Sequence, residues 1–122
     1  MENKEFVFIL TTSYNAIKNA AGALQLAVNL AAVDAIKDFF LMNEGAFLAK
    51  KGFSEPVSYK KAFSLVAELI KSSVEEFNCK FYIRASCVKP YGLEGAEFIK
   101  NAEVKPGSSL GEFLMKRQGL TF

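Results

Sequence analysis

Two cysteines are the residues of this chain best suited to chemistry. Cys79 and Cys87 are eight positions apart. An extended segment between them spans roughly 25 Å, whereas a disulfide requires Cα atoms about 5.5 Å apart. The two thiols are therefore not expected to pair within one chain. Cys79 lies on the apolar side of a predicted strand and is expected to be a small core residue.

Cys87 is predicted to lie where this strand ends. Arg84 and Lys89 are close to it in sequence, and a helix is expected to begin near Gly92. Cations and the amino-terminal end of a helix favour the thiolate, and thiols in such settings have a pKa of about 3.5 to 7.5. Cys87 is therefore the candidate catalytic nucleophile, with Arg84, Lys89 and Gly92 contributing to an anion or substrate site. The alternative is that Cys87 packs beneath the following loop.

Other polar residues at predicted strand ends are weaker candidates for binding an anion or substrate. The hydroxyl groups of Thr12 and Ser13 could hold a small anion at the start of a helix, although such residues are more often helix caps. Glu44 is expected to be a turn residue more than an acid or base, because turns favour short polar side chains. Arg84, on the polar side of its strand, would be solvated or paired with a carboxylate unless it binds an anion.

The composition excludes several classes of function. The chain has no histidine, which excludes a Ser-His-Asp triad, a Cys-His pair and an imidazole zinc site. The first predicted strand-to-helix loop, residues 11–15, has no glycine, so the dinucleotide-binding fingerprint and the P-loop are absent. We expect neither a cofactor nor a metal. The net charge is +2 and the lysines are spread along the chain, so nucleic-acid binding, which requires clustered charge, is not expected.

Strands and helices are predicted to alternate along the 122 residues. We predict strands at 6–10, 36–42, 79–86, 102–105 and 120–122, and helices at 14–32, 46–51, 59–78, 92–101 and 109–119. Hydroxyl residues 11–13 and the capping box Ser109-x-x-Glu112 would begin the first and last helices. This order predicts one α/β domain over residues 1–122, with three α/β/α layers, a mainly parallel sheet of about five strands and a flavodoxin-like outline. Ligands of such sheets bind beyond the carboxyl ends of the strands, so loops 11–15, 43–46 and 86–92 should share one rim.

The surroundings of the protein can also be predicted from the sequence. The first residues run directly into a strand-like segment, without a secretory leader, and two unpaired cysteines suit a reducing compartment. We therefore expect a cytoplasmic protein. The most apolar stretch, residues 20–36, is interrupted by polar residues and is shorter than the roughly 20 apolar residues of a membrane span. Twelve phenylalanines, four tyrosines and an alanine-rich helix predict a homo-oligomer, because surplus apolar surface favours association.

Residues 82–102 resemble the DsrE/DsrF-like family of small sulfur-relay proteins. In many members a strand runs into Cys-x-x-Cys, followed by a Gly-Leu pair and a helix. The resemblance extends over nearly the whole chain, through the strand at 6–11 and the motifs Asn43-Glu44-Gly45, Ser109-Leu110 and Leu120-Thr121-Phe122. The order and spacing of these pieces together carry the resemblance.

The resemblance implies a DsrE-like fold and a cysteine that carries sulfane sulfur as a persulfide, in a dimer, trimer or hexamer. Counting back from Gly92-Leu93, Cys87 matches the second cysteine of the motif, and Arg84 stands at the first position, which bears the persulfide in sulfur-relay members. Two interpretations follow. In the first, Cys87 carries the sulfur to or from a partner protein, and Arg84, Lys89 and main-chain amides stabilise the persulfide anion. In the second, the chain is a catalytically silent subunit or interaction module. A flavodoxin-like ligand binder is a third, weaker interpretation.

Overall fold

A parallel sheet of five strands forms the centre of the fold. The structure is a computed structural model that describes residues 5–13, 16–51 and 61–122 and, for residues 37 and 61–64, the backbone alone. The strands are β1 (Phe6–Leu10), β2 (Ile36–Leu41), β3 (Lys80–Arg84), β4 (Ala102–Lys105) and β5 (Gln118–Thr121). They lie in the order β4-β3-β2-β1-β5, and every neighbouring pair is parallel. The predicted mainly parallel sheet is confirmed.

Helices cover both faces of this sheet. Helices α1 (Ile17–Ala31) and α2 (Lys61–Glu75) pack against each other on one side, which we call the α1/α2 face. Helix α3 (Gly107–Lys116) lies on the other side, the α3 face, where its Phe113 contacts Tyr82 of β3. The predicted three-layer α/β/α architecture is therefore confirmed. No helix in the described ranges is long and apolar enough to cross a membrane.

The core of the α1/α2 face is built from aromatic rings of neighbouring strands. Phe8, Phe39 and Phe81 are fully buried. The rings of Phe39 and Phe81 are stacked with centroids 4.5 Å apart, and Phe8 meets Phe39 edge-on at 5.9 Å. Burying one such side chain contributes about 1.5–3 kcal/mol. The buried residues of α1 are five alanines and Leu24, and the small side chains allow this helix to lie close to the sheet.

Helix α3 begins earlier than the sequence predicts. Its N-cap is Pro106, a residue whose fixed φ and missing N–H suit the start of a helix. Ser109 and Glu112 consequently lie within the helix and do not form a capping box at its start. Gly119, predicted to end this helix, lies in β5, where a Cβ atom would come within 2.6 Å of Leu114 Cδ2.

Residues 92–101 form a loop, and the prediction of a helix there is wrong. Gly92 has φ +67° and Gly95 has φ +72°, values in the left-handed region that interrupts an α-helix. Phe98 forms an isolated antiparallel bridge with Lys50. Backbone hydrogen bonds to an adjacent segment thus replace those that a helix would have made within itself.

Other predicted boundaries agree with the structure to within a few residues. Helix α2 ends before Asn78, which has φ +52°, as expected for a residue that terminates a helix. Strand β3 ends at Arg84, two residues before its predicted end at Ser86. The predicted loop at 52–56 and the predicted helix starts at Tyr14 and Tyr59 lie outside the described residues.

Candidate functional site

The carboxyl ends of β1, β2 and β3 meet at one rim. Met42 N donates a hydrogen bond to Leu10 O at 3.1 Å, and Asn43 N donates one to Cys87 Sγ at 3.3 Å. Gly45 lies against the end of β1 so closely that a Cβ atom would come within 1.9 Å of Leu10 O. The structure therefore brings together the described parts of the three predicted loops, and the reason for glycine at position 45 is this close approach.

Cys87 lies at this rim, but its side chain points into the core. After β3, the chain enters a short 3-10 turn, Ala85–Cys87. This turn ends the in-and-out alternation of the strand, so that Ala85 is exposed and Cys87 is 4% exposed. Cys87 belongs to the apolar cluster of the α1/α2 face, together with Leu93 from the following loop. Of the two interpretations of Cys87 given above, an activated nucleophile and a cysteine packed beneath the following loop, the second describes its position in the structure.

Arg84 does not lie beside Cys87. It follows Tyr82 in the alternation of β3, and Tyr82 contacts Phe113 on the α3 face. The Arg84 Nε atom is 3.3 Å from the position that a Cβ atom would occupy on Gly107, the first residue of α3. The guanidinium group therefore lies on the opposite side of the sheet from the cluster that contains Cys87, because successive residues of a strand point to opposite faces.

Lys89 and Gly92 were predicted to place a cation and the start of a helix beside the Cys87 thiol, and the structure shows neither. Lys89 is exposed, and its carbonyl oxygen accepts a hydrogen bond from Gly92 N at 3.0 Å. Gly92 belongs to a turn and not to a helix. There is therefore no helix dipole at this position. That dipole was part of the reason to expect a thiolate at Cys87.

Thr12, Ser13 and Glu44 have local structural roles. The N-cap of α1 is Ala16, which makes no side-chain cap hydrogen bond, so the prediction that Thr12 and Ser13 cap this helix is wrong. Thr12 Oγ1 instead accepts a hydrogen bond from Asn19 Nδ2 at 3.1 Å, and Ser13 is buried. Glu44 lies in the first turn of the 3-10 helix Asn43–Ala49 and is partly exposed.

Cys79 is fully buried, as the alternation of β3 predicts. Burial raises the pKa of its thiol from 9.0 to about 11, and the negative charge of Asp38 contributes in the same direction. Both cysteines are free thiols. Cys79 is thus held in the neutral form, which is the poorer nucleophile.

A charged cluster on the α3 face was not predicted. The carboxylate of Asp38, 10% exposed, pairs with the guanidinium group of Arg117, which also lies 3.4 Å from Glu5 Oε2. Tyr82 lies beside this cluster, and its pKa is raised by burial and by the charge of Asp38. The signal in the sequence is Asp38 itself, an acidic residue directly before the buried apolar run Phe39-Phe40-Leu41. Such a residue requires a partner, but its partner is distant in sequence.

Comparisons with known proteins show what this fold is similar to. No family model and no curated protein sequence matches the chain. The YchN protein from E. coli has a similar structure, with a TM-score of 0.77 and 16% identity over 98% of this chain and 99% of that one. MTH1491, a protein of unknown function from Methanobacterium thermoautotrophicum, has a TM-score of 0.67 and 11% identity over 98% and 100% of the two chains.

A third similar structure is BT1422, a conserved protein of unknown function from Bacteroides thetaiotaomicron. It has a TM-score of 0.60 and 16% identity, over 97% of this chain and 95% of that one. At these identities the similarity shows a shared fold over nearly the whole chain. The chain therefore has the α/β architecture of these three proteins.

Proposed function

We propose that this chain is a DsrE/DsrF-like protein that acts as a catalytically silent assembly subunit or interaction module. The observation that carries the proposal is the position of Cys87, whose side chain is 4% exposed and packed in an apolar cluster. Arg84, at the position of the family's sulfur-carrying cysteine, has no sulfur atom that could carry a persulfide. The scaffold of a sulfur-relay protein would thus be kept without its reactive thiol.

The chemistry of sulfur transfer explains why burial of Cys87 matters. A thiolate must reach the outer sulfur of a donor persulfide before a new S–S bond can form and the donor thiolate can leave. The side chains packed around Cys87, which is 4% exposed, block the approach of a second protein to its sulfur atom. The cation expected to favour the thiolate, Arg84, lies on the other face of the sheet.

Exposed apolar side chains support a role in association. Met115 on α3 is 85% exposed and Val33 after α1 is 70% exposed, and Leu114 and Val104 are also exposed. Large apolar side chains at the surface are a feature of association sites when they are grouped. A homo-oligomer, as a dimer, trimer or hexamer, is the form of association that we propose.

Alkylation of Cys87 tests the proposal. In a Cys79→Ala variant, Cys87 is the one remaining thiol, and we expect iodoacetamide to modify it near neutral pH only after unfolding. Intact-mass measurement after exposure to a persulfide donor should show no added sulfur atom. The matched control is Cys79→Ala/Cys87→Ser, which reports any reaction away from the thiols.

Light scattering tests the proposed association. At micromolar protein concentration it should give a mass above that of one chain, and a monomer would contradict the assembly role.

A sulfur carrier at Cys87 is the second candidate, and one observation favours it. The Asn43 amide donates to Cys87 Sγ at 3.3 Å, and a main-chain N–H can stabilise a thiolate or persulfide anion. In this case the Cys87 thiolate attacks the outer sulfur of the donor, the donor thiolate leaves, and Cys87 holds the persulfide. Addition of one sulfur atom to the Cys79→Ala variant, but not to its Cys87→Ser derivative, would establish this function and overturn the first.

A further inference from the structure

Residues 107–122, which we call the strap, cover the α3 face with little burial of their own. No residue of α3 is buried. Beneath it, Val7 and Phe40 are fully buried and Ile9 is nearly so. The sheet therefore depends on the strap to exclude water from this face, whereas the helix itself has few apolar contacts to hold it in place.

Among the side chains that the structure describes, Arg117 makes the charged contacts between the strap and the sheet. Arg117, between α3 and β5, pairs with Asp38 of β2 and lies 3.4 Å from Glu5 Oε2. Its guanidinium carbon is also 5.3 Å from the centre of the Phe113 ring. Asp38 is the buried partner, with 10% of its side chain exposed, whereas 59% of the Glu5 side chain is exposed. The Asp38 pair is therefore the stronger of the two contacts, because exposed ion pairs contribute little.

The remaining contacts of the strap with the sheet are made by β5 at the edge and by Phe113 over β3. Strand β5 is the outer strand and pairs with β1 in parallel register from Phe6 and Gln118 onward. The Phe113 ring lies 5.3 Å from that of Tyr82. Helix α3 thus joins the sheet through one aromatic contact and the Arg117 cluster. Strand β5 adds its pairing with β1, and Phe122 after it adds the contact of its ring with Phe8, 5.0 Å between centroids, at the margin of the α1/α2-face core.

We propose that the strap opens from the sheet as a unit, with the Asp38–Arg117 ion pair as its latch, and that opening uncovers the apolar face formed by Val7, Ile9 and Phe40. Segments with few buried apolar contacts open at lower free energy than the rest of a fold. Loss of Arg117 would leave the Asp38 carboxylate buried without its partner, which weakens the closed state specifically. This conformational device does not depend on whether Cys87 carries sulfur.

Hydrogen exchange followed by mass spectrometry tests the strap. In the native protein, the amides of α3 and β5 should exchange together, and faster than those of α1, β2 and α2. In Arg117→Gln, exchange in the strap should rise by about tenfold or more, as expected for a partly buried charge left unpaired, with little change in α1. Lys116→Gln is the matched control, since it removes a neighbouring exposed charge that forms no ion pair with the described residues.

Two results would overturn the proposal. One is that strap and α1 amides exchange at equal rates in the native protein and respond equally to increasing urea. The other is that Arg117→Gln accelerates exchange in all elements by the same factor, which would show that the ion pair stabilises the whole fold. Asp38→Asn, which keeps the shape of the side chain, provides a second variant if Arg117→Gln does not fold. The order in which the elements of the native protein exchange shows, without either variant, whether the strap opens separately from the rest of the fold.

Discussion

The two faces of the sheet are closed by different kinds of interaction. On the α1/α2 face, stacked rings and small residues of α1 form a continuous apolar core. On the α3 face, a single helix without buried residues lies over the sheet, and a charged pair between Asp38 and Arg117 holds its end. Because apolar burial is the dominant stabilising term in folding, we expect α1, which buries six residues, to contribute more stability than α3, which buries none. The second face is the part of the structure that can change locally.

The same division separates the two thiols from three positively charged side chains. Cys79 and Cys87 both belong to the cluster of the α1/α2 face. Arg84 lies next to α3, Lys105 lies 5.8 Å from the centre of the Tyr82 ring, and Arg117 pairs with Asp38. These three positive groups therefore lie on the side of the sheet opposite the two thiols.

Removal of a core ring should give the largest effect and test which face stabilises the fold. Phe39→Ala removes a fully buried side chain that contacts two other rings, and we expect a loss of about 3–5 kcal/mol. Leu114→Ala, which changes an exposed side chain of α3, should lower the free energy of unfolding by less than about 1 kcal/mol. Urea unfolding measures both variants. Equal losses would show that the two faces contribute alike.

Alkaline pH should affect the two faces to different extents. The pKa of Cys79 rises from 9.0 to about 11 in the folded protein, so folding favours the neutral thiol. This contribution is fully present below pH 9 and is lost as the pH rises toward 11. Urea unfolding across this range should therefore show a weaker pH dependence in Cys79→Ala than in the native protein.

Tyr82→Phe provides the matching variant for the α3 face. The pKa of Tyr82 is also raised, by burial and then by Asp38, so its contribution is likewise lost at high pH. Tyr82 is only partly buried, and solvent weakens the effect of neighbouring charges on such a group. We expect Tyr82→Phe to change the pH dependence less than Cys79→Ala does. A larger change in Tyr82→Phe would contradict the ranking of the two faces.

Two helix glycines should give the smallest effects and separate local from global stability. Gly22 in α1 and Gly111 in α3 both have open space where a Cβ atom would be placed. An alanine inside a helix is favoured over glycine by about 0.5–1 kcal/mol. Gly22→Ala should raise the free energy of unfolding by this amount. Gly111→Ala should mainly slow hydrogen exchange in the strap. If it raised the free energy of unfolding as much as Gly22→Ala does, α3 would unfold only together with the other elements.

The sequence correctly predicted the helices and strands in which buried apolar residues recur at regular spacing. The apolar run at Phe6–Leu10 predicted β1 at its observed bounds, and the apolar spacing around Val66 and Ile70 predicted α2. The alternation of β3 placed Cys79 in the core. These predictions succeeded because hydrophobic periodicity is itself a consequence of which side of a helix or strand is buried.

The loop after β3 shows where such patterns fail. Leu93 and Phe98 suggested a helix, but Gly92 and Gly95 adopt left-handed backbone angles and the segment pairs with Lys50. Whether a glycine lies within a helix or in a turn depends on the contacts available to the neighbouring backbone. Those contacts come from residues 49–51, which lie nearly fifty positions earlier in the sequence.

The alternation of strands and helices, the parallel sheet and the burial of Cys79 could all be predicted, because each follows from the pattern of apolar side chains along a short segment. The inward direction of Cys87, the position of Arg84 on the opposite face and the pairing of Asp38 with Arg117 became visible only in the folded chain. The direction of a side chain beyond the end of a strand, and the partner of a buried charge, depend on segments that meet only when the chain has folded.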